Sequence, residues 1–340
     1  MPMTSKPDAP LSGIFTPNIV PLDDRGEINH EELARYVDWL IAKGVHGLYP
    51  NGSSGEFTRF TPEERRSIIR TVAEAVDGRV PILAGAAEAN TKETLKACEA
   101  YAELGARAVA IVSPIFYKLS QESIFAYFAE IARQSVIDVT VYNIPMLSSP
   151  IEVETIRRLS EFDRIVGIKD SSGDVGQMCR MIAAIRRNRP DFTFMTGWEA
   201  VLVPMLAVGA NGGTNASSGI VPEVTRRLFD LFREGELDEA MRIQLRLIEL
   251  FDMMLHGSDF PDGFRAGVEL RGFAMGPSRQ PLSGEQTVDR GKLKETLECL
   301  LAEFGVVEAP AHCPLPERRR LPKDLARSIA DEISRALGRS

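Results

Sequence analysis

A lysine ends a β-branched run in Ile165-Val166-Gly167-Ile168-Lys169-Asp170, and small residues follow at once in Ser171-Ser172-Gly173. A short apolar run bounded by turn residues reads as a buried strand. A buried ammonium is costly unless it is paired or neutral. Lys169 therefore admits two readings. Its stem can carry the charge out to solvent, or its amine can sit in a pocket as a nucleophile toward a carbonyl. The second reading needs a neutral amine near pH 7. Bringing a lysine there from ~10.4 takes roughly 4–5 kcal/mol of differential destabilisation, at ~1.36 kcal/mol per pKa unit. Desolvation in a protein interior acts in that direction. An imine formed with a ketone then serves as an electron sink.

Such chemistry needs a proton carrier and a grip on the rest of the substrate. Tyr142 closes the strand-like run Val139-Thr140-Val141-Tyr142-Asn143. Its phenol can relay a proton, or it can be a packed aromatic with a satisfied hydroxyl. Gly52-Ser53-Ser54-Gly55 offers backbone N–H groups and two hydroxyls suited to a carboxylate. The same stretch also suits a plain strand-to-helix turn. Gly209-Ala210-Asn211-Gly212-Gly213 lacks a strong phosphate-binding signature, and close backbone approach explains its glycines better.

The elements that must position these residues alternate along the chain. Strand-like runs at Gly13–Val20, Gly47–Pro50, Val80–Gly85, Ala108–Val112, Val139–Asn143, Ile165–Lys169, Phe192–Thr196 and Ala210–Asn215 are each followed by a helical pattern. Thr61-Pro62-Glu63-Glu64 opens one helix with an N-cap threonine, a proline at the first helical position and acids in the first turn. Strands separated by single helices imply parallel βαβ units. The expected fold is an α/β TIM (β/α)8 barrel, whose active site forms at the C-terminal ends of the strands. That rim carries Lys169, Tyr142, Ser53 and Ser54, together with Glu199, Thr214 and Asn215.

The alternation stops after Gly235. Leu237–Leu255, Phe264–Phe273 and Arg290–Phe304 read as helices alone, a C-terminal helical appendix. The expected organisation is a flexible N-terminal tail (1–10), a barrel (11–234), helices (235–305), and a proline-rich link with a terminal amphipathic helix (306–340). That last helix carries Leu325, Ile329, Ile333 and Leu337, a narrow stripe suited to docking on protein.

Composition excludes several function classes. The chain has 340 residues, is 44% hydrophobic and carries a net charge of −8. An acidic chain without a basic patch argues against nucleic acid, and no apolar run reaches membrane-spanning length. Cys98, Cys179, Cys299 and Cys313 are widely spaced with no Cys-x-x-Cys, so neither a disulfide framework nor a zinc site is expected. The four histidines are equally scattered. The expectation is a cytoplasmic protein with no metal and no cofactor.

Taken together, Gly52-Ser53-Ser54-Gly55-Glu56, Tyr142-Asn143-Ile144-Pro145 and Gly167-Ile168-Lys169-Asp170 resemble, in order and spacing, the dihydrodipicolinate synthase / N-acetylneuraminate lyase family. The resemblance covers about Leu11 to Phe304. It implies class I aldolase chemistry through a Schiff base with pyruvate or another 2-oxo acid, usually in a homotetramer built as a dimer of dimers. On it, Lys169 matches the Schiff-base lysine, Tyr142 the proton relay, and Ser53 and Ser54 the carboxylate-holding pair, with Ser53 joining the relay. Gly52 belongs to the same loop, and Thr214 sits where a backbone carbonyl lines the pocket.

The departures bear on the substrate. Where the synthases carry an arginine that grips the aldehyde's carboxylate, this chain has Leu147, which cannot make a bidentate contact. Where they borrow a tyrosine across a dimer interface, it has Phe116, with Tyr117 one position on. In the lyase branch, polyol-binding positions hold an aspartate and a glutamate where Glu199 and Ala200 stand here, and a Gly-Ser pair where Asn215-Ala216 stand. Lysine biosynthesis and sialic acid are thus both disfavoured. A 2-keto-3-deoxy sugar acid fits the expectation. So does an aromatic 2-oxo acid of the hydratase-aldolase kind, with Leu147 and Phe116 as an apolar wall. A 2-oxo acid sensor without turnover is the non-enzymatic alternative.

Overall fold

A computed structural model describes residues 10–311 and Cys313. Its strands are β1 (Gly13–Pro17), β2 (Gly47–Tyr49), β3 (Leu83–Gly85), β4 (Ala108–Val112), β5 (Val139–Asn143), β6 (Ile165–Asp170), β7 (Thr193–Thr196) and β8 (Gly212–Thr214). Between and after them run α1 (His30–Ala42), α2 (Pro62–Val76), α3 (Thr91–Glu103), α4 (Gln121–Gln134), α5 (Val153–Leu159), α6 (Val175–Ile185), α7 (Leu202–Ala207) and α8 (Pro222–Glu234). Three further helices, α9 (Leu237–His256), α10 (Asp262–Leu270) and α11 (Arg290–Glu303), follow without strands.

The sheet order is β2-β1-β8-β7-β6-β5-β4-β3, with parallel pairing along its length. A bridge between Leu48 and Ile82 joins β2 to the approach of β3, so the sheet closes on itself as a TIM barrel. The strands are almost wholly buried, as a parallel sheet covered by helices requires. Helix starts follow local chemistry. Thr61 and Glu64 form a reciprocal capping box at α2, and Asn90 caps α3 through the Glu93 N–H.

Several elements are shorter than the sequence predicts, among them the first and eighth strands, expected over Gly13–Val20 and Ala210–Asn215 and found at Gly13–Pro17 and Gly212–Thr214. The third strand was expected from Val80, yet β3 begins at Leu83. Pro81 cannot donate to a ladder, although its carbonyl accepts from the Leu48 N–H at 3.1 Å. After β7 a single helix Glu199–Val208 was expected. The chain instead makes a 3-10 turn, Glu199–Val201, and then α7. Pro204, lacking an N–H, is tolerated only in a first turn. The Gln244 side chain satisfies the junction, donating to the Glu199 carbonyl at 2.7 Å and accepting from the Val203 N–H at 3.1 Å.

The chain divides into two compact units, 1–297 and 298–340, with the boundary inside α11. The expected link and terminal helix (306–340) lie largely outside the described residues, as do residues 1–9. Within the second unit Cys299 is bonded to Cys313. This corrects the expectation that the cysteines take no part in disulfide bonding, drawn from their wide spacing. Their spacing of 14 residues spans a helix end and a turn, where the Val306 N–H bonds back to the Leu301 carbonyl, and sequence spacing alone does not reveal that return. Among the described residues no helix is long and apolar enough to cross a membrane.

Candidate active site

Lys169 stands one residue before the end of β6, in register with Tyr142 of β5 and Met195 of β7. Strand residues two apart share a face, so Ser171 joins Lys169 on the inner side. Only 4% of Lys169 is exposed. Its Nζ lies 4.0 Å from the centre of the Tyr142 ring and 4.4 Å from that of Tyr49. Burial pulls its pKa below the ordinary lysine value, while the Tyr142 phenol and the Glu199 carboxylate act the other way. The lysine is not the snorkelling strand end that its position also allowed.

Room for its stem depends on one glycine. A Cβ at Gly197 would fall 2.7 Å from Lys169 Cε and 2.0 Å from Ser171 Oγ. No side chain fits there without displacing both. The Gly197 N–H donates to the Asp170 carbonyl at 2.8 Å, which holds this close approach in place.

The Tyr142 hydroxyl is the hub of the polar groups. It lies 3.4 Å from Ser53 Oγ and accepts from Ser171 Oγ at 3.5 Å. Hydrogen bonds of this length are common before substrate draws a site together. Tyr49 packs edge-on against Tyr142, with ring centres 6.3 Å apart. Burial and the neighbouring Tyr142 push the Tyr49 phenol well above its usual range, so Tyr49 stays neutral.

The serine loop is fixed from beneath. Asn51 adopts a left-handed conformation, and its side chain donates to the Arg65 carbonyl at 3.0 Å. Gly52 is needed because the Tyr49 ring lies against it, 2.7 Å from where a Cβ would stand. The Glu56 N–H closes the turn onto the Ser53 carbonyl at 3.0 Å. Buried Glu56 accepts from Arg265 at 2.9 Å and also pairs with Arg59. A buried pair of this kind fixes geometry more than it adds stability.

On the other side of Lys169, Asp170 is fully buried. Asn143 donates to it at 2.9 Å, and the Ser172 N–H and hydroxyl donate to it at 3.0 and 2.9 Å. Asn143 in turn accepts from the Ile151 N–H at 3.0 Å. The loops after β5 and β6 are thereby braced against each other behind the lysine. Glu199 is buried too, held by the Ser217 N–H at 2.6 Å and by the Ser217 hydroxyl. Burial raises its pKa to about 7 against the opposing pull of Ser217 and Lys169.

These groups line one concave cavity at the C-terminal rim of the barrel. Ser53, Ser54, Tyr142, Lys169, Ser171, Glu199 and Thr214 supply its polar floor. Leu147, Trp198, Phe251, Leu255, Phe260 and Phe264 are among the residues of its outer wall. A second cavity adjoins it through Ser53, Ile144, Leu147 and Phe260, with Arg59 and Glu56 on its far side.

Phe116, Asn215 and Gly52 do not line this chain's own cavity. Phe116 is 92% exposed, with a φ of 81°, and is not among the lining residues of this chain's cavity. Tyr117 packs edge-on against it and is exposed as well. Asn215 is buried beneath β8, its Oδ1 where a Cβ of Gly213 would be, and does not face the cavity. Gly52 shapes the serine loop without lining the cavity. Sequence reasoning placed Gly197 and Trp198 with Glu199 at the end of the seventh strand but did not single out Tyr49, Ser171 or the aromatic residues of α9 and α10. For Ser171 a signal existed, since it lies two residues from Lys169 on a strand. The helical aromatics carry no such mark.

Among the described residues, no three His, Cys, Asp or Glu side chains are grouped as a metal site. The nearest chemistry is organic: an amine of lowered pKa, a phenol, hydroxyls and a carboxyl.

A sequence model described as the dihydrodipicolinate synthetase family matches residues 10–300. An uncharacterised DapA-like lyase of Halobacterium salinarum is 32% identical over 298 residues, covering 87% of this chain and 95% of that protein. The 4-hydroxy-tetrahydrodipicolinate synthase of Methanopyrus kandleri is 31% identical, covering 87% and 97%. Among solved structures, YagE of E. coli K12, a prophage protein of the dihydrodipicolinic acid synthase family in complex with pyruvate, is similar at a TM-score of 0.79. It is 28% identical, with 85% of this chain and 98% of that one covered. The dihydrodipicolinate synthase of Thermotoga maritima gives a TM-score of 0.80 at 26% identity, covering 87% and 99%.

Proposed function

Because the chain belongs to the dihydrodipicolinate synthetase family and is a lyase of the aldolase type, we propose that it forms a Schiff base between Lys169 and a 2-oxo acid. Carbon–carbon cleavage or formation follows from that imine. The observation that carries the proposal is the buried Lys169 amine, held 4.0 Å from the Tyr142 ring with no room for a side chain at Gly197.

The neutral amine adds to the C2 carbonyl, and water leaves to give the iminium. In the cleavage direction a base removes the proton of the C4 hydroxyl. The C3–C4 bond breaks, its electrons pass to the iminium, and an aldehyde departs. The enamine left on Lys169 takes a proton at C3, and hydrolysis of the resulting imine releases pyruvate. Tyr142 carries these protons, with Ser53 as its relay partner at 3.4 Å. Ser53, Ser54 and the N–H groups of their loop hold the substrate carboxylate, as opposed partial charges favour. Leu147, Glu199 and Thr214 meet the remainder of the substrate. No cofactor enters any of these steps.

Sugar-acid and aromatic 2-oxo acids both satisfy this sequence at the imine, and so does condensation toward 4-hydroxy-tetrahydrodipicolinate. A homotetramer, which rests on the family resemblance, and a cytoplasmic setting complete the proposal. The test is borohydride reduction in the presence of pyruvate, followed by peptide mapping. The expected result is a stable adduct on Lys169 that disappears in Lys169→Ala. An adduct elsewhere, or none, overturns the proposal.

A further inference from the structure

The outer wall of the cavity is more informative than its floor, because the imine chemistry does not require it. Trp198 follows β7, Phe251 and Leu255 stand four residues apart on α9, and Phe264 lies on α10. Their rings form a connected series. Trp198 meets Phe251 edge-on at 5.7 Å, Phe251 meets Phe264 at 6.2 Å, and Phe264 meets Phe260 at 5.8 Å. Leu147 closes the side where this cavity joins its neighbour.

Charge around the cavity is equally one-sided. Among the described residues that line it, Lys169 is the only basic side chain, and it is consumed by the imine; Glu199 is the only acidic one, and it faces the same space. A second carboxylate on the substrate would meet no cation and one acid. Arg59 of the adjoining cavity is already engaged by Glu56 and by Ser278 at 3.2 Å. A polyol tail would find partners only at Glu199 and the hydroxyls of the floor, and its hydroxyls set against the rings would lack them, which is unfavourable.

We infer that the aldehyde half of the substrate is uncharged and apolar, an aryl or bulky alkyl group bound against the Trp198–Phe251–Phe264–Phe260 series. The inference presupposes the imine at Lys169 and names the substrate class that this imine serves. It makes the wall a specificity device. A distal carboxylate finds no free cation among the described lining residues, and the rings stack on a flat or branched apolar group.

The experiment is a panel of 4-hydroxy-2-oxo acids that differ only beyond C4, read by pyruvate release. The members are the pyruvate adducts of benzaldehyde, glyceraldehyde, glyoxylate and acetaldehyde, and borohydride trapping with pyruvate is run in parallel. The expected kcat/KM for the phenyl acid is about 100-fold above that for the glyceraldehyde and glyoxylate adducts, the scale on which apolar pockets discriminate. If pyruvate is trapped yet the phenyl acid is not preferred, the inference falls and the imine stands. If no adduct is trapped on Lys169, both fall. Trp198→Ala should lower the phenyl-to-methyl ratio of kcat/KM about 10-fold. That ratio is independent of the fraction of protein folded, and an unchanged value overturns the assigned wall.

Discussion

The floor and the outer wall of the cavity are built by different means. The floor stands on strand ends, where register sets Tyr142 beside Lys169 and backbone ladders hold both to their neighbours. The wall comes from the loop after β7, from α9 and α10, and from the chain between them, joined by ring contacts instead of ladders. Positions on a ladder move only with the whole sheet. Positions on packed helices tolerate exchange of one apolar side chain for another at modest cost. Reaction type is therefore the conserved property of such an architecture in the physical sense, and substrate choice is the adjustable one.

Tyr142→Phe attacks the floor most directly. It keeps the ring over Lys169 and removes the proton carrier, so pyruvate should still be trapped while turnover falls about 10²–10⁴-fold. The loss should be equal across substrates, measured as kcat on each acid of the panel. Full activity in this variant would show that the phenol is a packing group only.

Gly197→Ala tests whether the close approach at Lys169 matters. The added methyl should slow imine formation by about 100-fold, the effect of misplacing a reacting group by roughly an ångström. The rate of borohydride-trapped adduct formation reports it. A rate within a few-fold of wild type would mean that the stem of Lys169 simply moves aside.

Leu147→Arg alters the wall alone. A guanidinium there gives a distal carboxylate its missing partner, and the ratio of kcat/KM for the glyoxylate adduct over the phenyl acid should rise about 10-fold. Trapping with pyruvate then separates a change of choice from a change of chemistry. A ratio that stays put would place Leu147 outside the substrate's reach.

The smallest expected change concerns pH and joins the two regions. Lys169 must be neutral to attack, so imine formation rises with pH through a value below the ordinary lysine range. The Glu199 carboxylate favours the ammonium, and Glu199→Gln should move that rising limb to lower pH. Stability supplies a second sign. The Glu199 pKa is raised to about 7 in the folded chain, so the protonated carboxyl supports the fold and that support is lost as pH rises through about 7. Between roughly pH 4.5 and pH 8, Glu199→Gln should gain a few kcal/mol relative to the native chain, at ~1.36 kcal/mol per pKa unit. Denaturant melts at the two pH values check it, and a parallel response in both proteins would contradict the raised value.

Much of the floor was legible in the chain because strand periodicity is short-range. Eight apolar runs between helical patterns point to a barrel, and a barrel sends chemistry to its strand ends. Lys169, Tyr142 and Ser53 could be placed near one another on that ground. The wall was not legible, because Phe251 and Phe264 look like ordinary core residues of amphipathic helices until tertiary packing brings them over the rim. Asn215 was misleading for a related reason. It lies just past β8, at the end of the run expected as a strand, and the lack of a side chain at Gly213 lets its side chain fold under β8. The Cys299–Cys313 bond escaped because helix ends hide how far the chain doubles back.

The closure of the barrel has a consequence for how the molecule opens. β5 and β6 are laced together from Val139–Ile165 to Asn143–Asp170. β2 and the approach of β3 share the Leu48–Ile82 bridge, with the Gly85 N–H reaching the Pro50 carbonyl at 2.9 Å. A cylinder with one lightly stitched line parts along that line first. Its amides, Leu48 and Gly85, should exchange with solvent ahead of those of β5 and β6. The serine loop begins where β2 ends, so native-state fluctuations would uncouple the side of the site proposed to hold the carboxylate while the lysine side stays shut. A bound 2-oxo acid, tied to both sides, acts as the missing stitch, and slower exchange at Leu48 and Gly85 on adding pyruvate would be its signature.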